Sequence, residues 1–126
     1  MNIQINFEIT STYDISSEFI KRDLYTFHKA ADFIKKLPYG RNTNKNDLLT
    51  VFNDGCGTCS TKHAVLKQVA DKNNFLNIKL VMGIFKMNGN NTPAVAEVLK
   101  KHNLSYIPEA HNYLKFNNEI FDYTKT

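Results

Sequence analysis

Two cysteines stand three residues apart in Cys56-Gly57-Thr58-Cys59, and Cys59 opens the run Cys59-Ser60-Thr61-Lys62-His63-Ala64-Val65-Leu66-Lys67-Gln68-Val69-Ala70. Positions 59, 63, 66 and 70 share one face of a helix, which makes Cys59 the first residue of a stripe that packs inward. Unpaired backbone N–H groups and the positive end of the dipole favour an anion at a helix start, so the thiolate is stabilised there. Gly57 has no side chain and leaves room for a group approaching the sulfur. Such surroundings suit a cysteine nucleophile. They equally suit a small buried hydrophobe, a common role of free cysteine.

A nucleophilic cysteine needs a base, and the base needs a group to orient it. His28 adjoins the apolar stripe of an earlier helix and reads as structural. His102 follows Lys100-Lys101, where it complements the dipole at a helix end. His63 lies one turn beyond Cys59 on the same face, but its own helix restrains the ring, so it reads as a helper or packing residue. His111 sits in Pro108-Glu109-Ala110-His111-Asn112-Tyr113-Leu114, a predicted strand. If the following turn centres on Asn117-Asn118, residue 113 faces 122. Asp122 then becomes a diagonal neighbour of His111 on one face of the sheet. A carboxylate there can hold an imidazole in the tautomer that offers its other nitrogen to a sulfur.

The elements that must position these groups follow from hydrophobic spacing. Ile3, Ile5, Phe7 and Ile9 alternate with polar neighbours, the signature of a strand. Ser16 and Ser17 are N-cap candidates for one helix carrying Ile20, Leu24, Phe27, Ala31 and Ile34, which ends before Leu37-Pro38. Residues 40–47 read as a polar loop. The segment 47–53 is either a short helix capped by Asp47 or a buried strand. A helix is expected over about 59–71 and a strand over 76–85. Thr92-Pro93 opens another helix to about Lys101. Strands 106–116 and 119–123 form a hairpin about Asn117-Asn118.

The motif Gly57-Thr58-Cys59-Ser60-Thr61-Lys62-His63-Ala64, followed by Ala110-His111 and Phe121-Asp122-Tyr123-Thr124, resembles the transglutaminase-like family of cysteine enzymes over roughly residues 30–126. Leu37-Pro38-Tyr39-Gly40-Arg41-Asn42 and Ile107-Pro108-Glu109-Ala110-His111 are similar to small bacterial members of unassigned activity. The resemblance implies an α+β fold with a papain-like core, in which the cysteine helix packs on an antiparallel sheet. It implies Cys59 as nucleophile, His111 as base and acid, and Asp122 as orienter. The implied chemistry is acyl transfer from an amide of a peptide or small molecule to the thiol, then release to water or an amine, with no cofactor and no metal. The Cys59 N–H is one oxyanion donor. Asn53 is a candidate for the second, and Tyr39, Arg41 and His63 are substrate-site candidates. The aromatic usual after the nucleophile is replaced by Ser60.

Two other chemistries fit the same residues. Cys56-x-x-Cys59 at a helix start, with Ile107-Pro108 before a strand, fits a thioredoxin-like thiol–disulfide oxidoreductase in which Cys56 attacks. A central parallel strand at 47–53 favours that reading, and a helix favours the transglutaminase-like one. Cys56, Cys59 and His63 with His111 or His102 could also ligate zinc. A non-catalytic interaction domain is the remaining option.

The 126 residues, 42% of them hydrophobic, with nine Phe and six Tyr, suit a single domain spanning 1–126 with its own core. The charge of +4 is scattered, with no basic stripe interleaved with aromatics, so no nucleic-acid partner is expected. No apolar run approaches a membrane span, and residues 1–6 lack the features of a secretory leader. The expectation is a cytoplasmic chain whose cysteines stay reduced; nothing in the pattern indicates an oligomeric state.

Overall fold

Eight residues of the 14-residue helix α4 (Cys59–Lys72) are buried, among them Lys62 and His63. That is more than one amphipathic stripe supplies, so α4 is covered on several sides. Helices α1 (Asp14–Lys21), α2 (Phe27–Lys36) and α3 (Thr50–Asp54) all pack against it. Strand β1 (Lys79–Met87), helix α5 (Ala96–Lys101) and strands β2 (Ile107–Phe116) and β3 (Glu119–Phe121) follow. The sheet order is β1-β2-β3, so the protein mixes helices with a three-stranded sheet. The computed structural model describes residues 5–125 apart from 11, 13, 88, 91, 92, 94 and 95, with the backbone alone at 85–87 and 107–109.

The chain forms two compact units, one of Met1–Val81 with Asn112–Thr126 and the other of Met82–His111. The first holds the main core, in which Phe19, Phe27, Ile34, Val51, Leu66, Ile78 and Leu114 are fully buried. Phe7 stacks between Phe27 and Phe75, with ring centres 5.0 and 4.8 Å away. In the second unit Leu99 of α5 is buried, and Lys100 and Lys101 close that helix at its carbonyl end.

Several elements differ from the expectation. The helix expected to run from Ser16 to Leu37 is two helices. Asp23 takes a left-handed φ of 59°, Leu24 N–H bonds back to Phe19 O, and Thr26 caps a new start by accepting from Lys29 N–H. Ser16 is buried within α1 and accepts from Asn73 Nδ2. The helix does stop before Pro38, with Leu37 already extended. At the N-terminus Ile5 and Ile9 are buried and Asn6, Glu8 and Thr10 exposed, as alternation requires. Yet among its described residues this segment forms an antiparallel bridge, Glu8 to Thr26, and no ladder strand. Ile3 and Thr92 lie outside the described residues.

The ambiguous segment 47–53 is no strand: a turn at 48–49 leads into α3, whose N-cap is Leu49 and not the expected Asp47. Asp47 Oδ1 accepts from Leu49 N–H, Thr50 hydroxyl donates to Asp47 O, and α3 ends at Gly55 with φ 69°. The hairpin has the expected turn. Asn117 and Asn118 both take positive φ, at 50° and 64°, and Leu114 faces Phe121. Among the described residues no helix is long and apolar enough to cross a membrane.

Leu66 is fully buried at the centre of α4's packing. Leu66→Ala is expected to cost about 2–5 kcal/mol in urea unfolding, with the denaturant slope unchanged.

Candidate functional site

Thr58, in extended conformation, is the N-cap that starts α4. Its hydroxyl accepts from Thr61 N–H at 3.2 Å, and Thr61 hydroxyl accepts from Thr58 N–H at 2.9 Å, a reciprocal cap. Cys59 is therefore the first helical residue, as expected, and only 8% of it is exposed. Its sulfur lies 3.9 Å from the Asn112 side-chain amide, which donates to it from β2. Cys56 is half-buried, its thiol 3.9 Å from Arg41 O and facing the open side of Gly40.

The loop before the helix is tied to the strip 38–43. Gly57 N–H donates to Pro38 O, Gly40 N–H donates to Gly57 O, and Tyr39 pairs with Gly57 as a parallel bridge. Asn42 spans both cysteine neighbours: its amide donates to Cys56 O at 2.9 Å and its oxygen accepts from Thr61 hydroxyl at 2.7 Å. Asp54 holds the next residue through Thr43 N–H and hydroxyl, and these bonds pull its carboxyl below the usual range. Gly57 does not serve to open a path to the sulfur. A Cβ there would stand 2.9 Å from Lys62 Cγ and 3.0 Å from Thr61 Oγ1, so the chain's own side chains occupy that space.

Lys62 and His63 project from α4 into the interior, both fully buried. Lys62 Nζ donates to Leu37 O and to Thr124 O, each at 2.6 Å. Desolvation lowers its ionisation from the ordinary 10.5, and the nearby Cys56 acts in the opposite direction. His63 Nδ1 lies 2.7 Å from Cys59 O, and Nε2 accepts from Tyr123 N–H at 2.8 Å. An Nε2 that accepts carries no proton, so this pattern assigns the neutral Nδ1–H tautomer. Asp122 Oδ1 is 3.7 Å from that Nε2, too long for a hydrogen bond. It accepts instead from Thr124 N–H and Thr124 hydroxyl, at 2.9 and 2.6 Å.

The predicted residues divide accordingly. His63 links the Cys59 carbonyl, 2.7 Å from Nδ1, to the Asp122 carboxylate, 3.7 Å from Nε2. Asp122 lies just past β3, which ends at Phe121 and not at Tyr123, because Tyr123 N–H turns to His63 and Asp122 folds onto Thr124. His111 is a half-buried residue of β2, and the β2–β3 ladder runs from Leu114–Phe121 to Phe116–Glu119, stopping short of the expected facing of 113 and 122. Asn53 is exposed on α3 and Tyr39 is 61% exposed. Arg41, with Lys45, Thr58 and Ser60, lines a polar cleft of about 680 Å³. Among the described residues no three of His, Cys, Asp and Glu gather to hold a metal ion. The zinc set Cys56, Cys59 and His63 is therefore not assembled, since both nitrogens of His63 are engaged elsewhere.

Asn42, Asn112, Lys62 and Thr124 were not visible as site residues in the sequence. Lys62 alone left a signal, a lysine at 62 in step with the apolar 65, 66 and 69. No family model, curated protein or solved structure matches the chain.

Burial pushes the Tyr123 phenol from 10.0 up to about 12. Between those values the folded chain keeps a proton that the unfolded chain has lost. The stability this confers is whole below about pH 10 and is lost as pH rises toward 12. Urea midpoints measured across this range should fall more steeply for the native chain than for Tyr123→Phe.

Proposed function

We propose that the protein is a cysteine-dependent acyl-transfer or amide-hydrolysing enzyme of the transglutaminase-like type, with Cys59 as nucleophile, His111 as base and acid, and Asp122 as orienting carboxylate. The observation that carries the reading is the sulfur's setting: first residue of a capped 14-residue helix, with a side-chain amide donating to it. A sulfur at a helix start, reached by an amide donor, sits where a cysteine nucleophile is held for attack. The helical segment before Cys56 also supports it, because a thioredoxin-like reading calls for a strand there.

In this mechanism Sγ adds to the carbonyl carbon of an amide, and the oxyanion takes the Cys59 N–H, which has no acceptor within the first turn. His111 delivers the proton it took from the thiol to the departing amine as the C–N bond breaks. Water or a second amine then attacks the thioester, giving its proton to His111, and the thiolate leaves. Asn112, the residue after His111 on β2, keeps its side-chain amide against the attacking sulfur.

Iodoacetamide alkylation at pH 7 tests this without a substrate. In Cys56→Ala, Cys59 should react at the native rate. Adding His111→Ala or Asp122→Asn should slow it about tenfold, as loss of the base or of its orienting carboxylate requires. Rapid labelling at Cys56 with no response to His111→Ala would establish the redox reading instead.

A further inference from the structure

The residue after the reciprocal cap, Lys62, has no part in the chemistry above, yet it is fully buried and its ammonium bridges two segments far apart in the chain. One is the end of α2 at Leu37, which leads into the strip 38–42 against the cysteine loop. The other is Thr124, two residues after Asp122. His63, next on the same helix, takes the N–H of Tyr123. Adjacent residues of α4 thus grip consecutive residues of the segment after β3, and Asp122 immediately precedes them. Thr124 completes the arrangement by donating twice to the Asp122 carboxylate.

We propose that Lys62 is a positioning residue for Asp122: its ammonium, anchored on Leu37 O, holds Thr124 and thereby fixes the carboxylate at the helix start that carries Cys59. The inference rests on the reading of Asp122 as orienting carboxylate. The physical need is specific. Once β3 ends at Phe121, no ladder bond constrains 122–125, and an unanchored segment would let the carboxylate swing into solvent, where it is already half exposed. A buried side chain with several donors on a flexible stem can hold two carbonyls from different directions, which an apolar residue cannot. Gly57 belongs to the same device, since any larger residue there would press on the Lys62 stem.

The test compares Cys59 alkylation at pH 7 in Cys56→Ala with the same chain carrying Lys62→Met, Asp122→Asn, or both. The expected result is that Lys62→Met slows alkylation as much as Asp122→Asn does, and that the double variant is no slower than Asp122→Asn alone. A folded Lys62→Met chain that reacts at the native rate while Asp122→Asn is slow would overturn the positioning role and leave the site reading standing. If Asp122→Asn also reacts at the native rate, the site reading itself fails. Should Lys62→Met not fold, a full-length semisynthetic chain with an ester at the Thr124–Lys125 linkage weakens the Thr124 acceptor and keeps every side chain. Slower alkylation is expected there too, and an unchanged rate in that chain overturns the proposal.

Discussion

A fully buried amine loses its hydration, and Lys62 recovers the loss through short bonds to two backbone carbonyls, Leu37 O and Thr124 O. Removing the side chain would leave both carbonyls without that donor, which costs more than the bonds themselves contribute. The remaining local geometry is arranged about this point. Gly57 is free of a side chain because the Lys62 stem passes there, Thr61 beside it closes the cap, and Asn42 links Thr61 hydroxyl to Cys56 O. One amine therefore connects the end of α2, the start of α4 and the segment after β3.

His63 complements it with a different physics. Its ring spans from Cys59 O to Tyr123 N–H, so it joins the first turn of α4 to the tail by a donor and an acceptor. A protonated ring could not accept from Tyr123, so this link needs the neutral form. The two nitrogens are spent on structure, which argues against His63 as a mobile base. The carboxylate of Asp122 accepts twice from Thr124 and lies 3.7 Å from His63 Nε2.

Much of the fold was legible before any coordinates. Cys59 opens its helix because Thr58 and Thr61 form a local capping pair, and the helix ends of α2 and the Asn117-Asn118 turn follow from proline and asparagine chemistry within a few residues. The errors arose where distant contacts override a local pattern. The apolar period from Ile20 to Ile34 continues smoothly through the break at 22–26, yet Leu24 folds back on Phe19, Ile9 N–H donates to Tyr25 O, and Phe27 N–H donates to Phe7 O. A periodicity argument cannot see that competing partner.

The sequence by itself determined which residues could be chemical and where the helix carrying Cys59 begins, because caps, turns and side-chain periods are set by neighbours along the chain. Tertiary structure alone decided that a lysine would sit in the core, that Asn112 would reach the sulfur, and that Asp122 would be held through Thr124 beside His63. Those outcomes depend on bonds across roughly 50 to 60 residues of chain, which exist only once hydrophobic burial has brought the segments together and every buried polar group must find a partner.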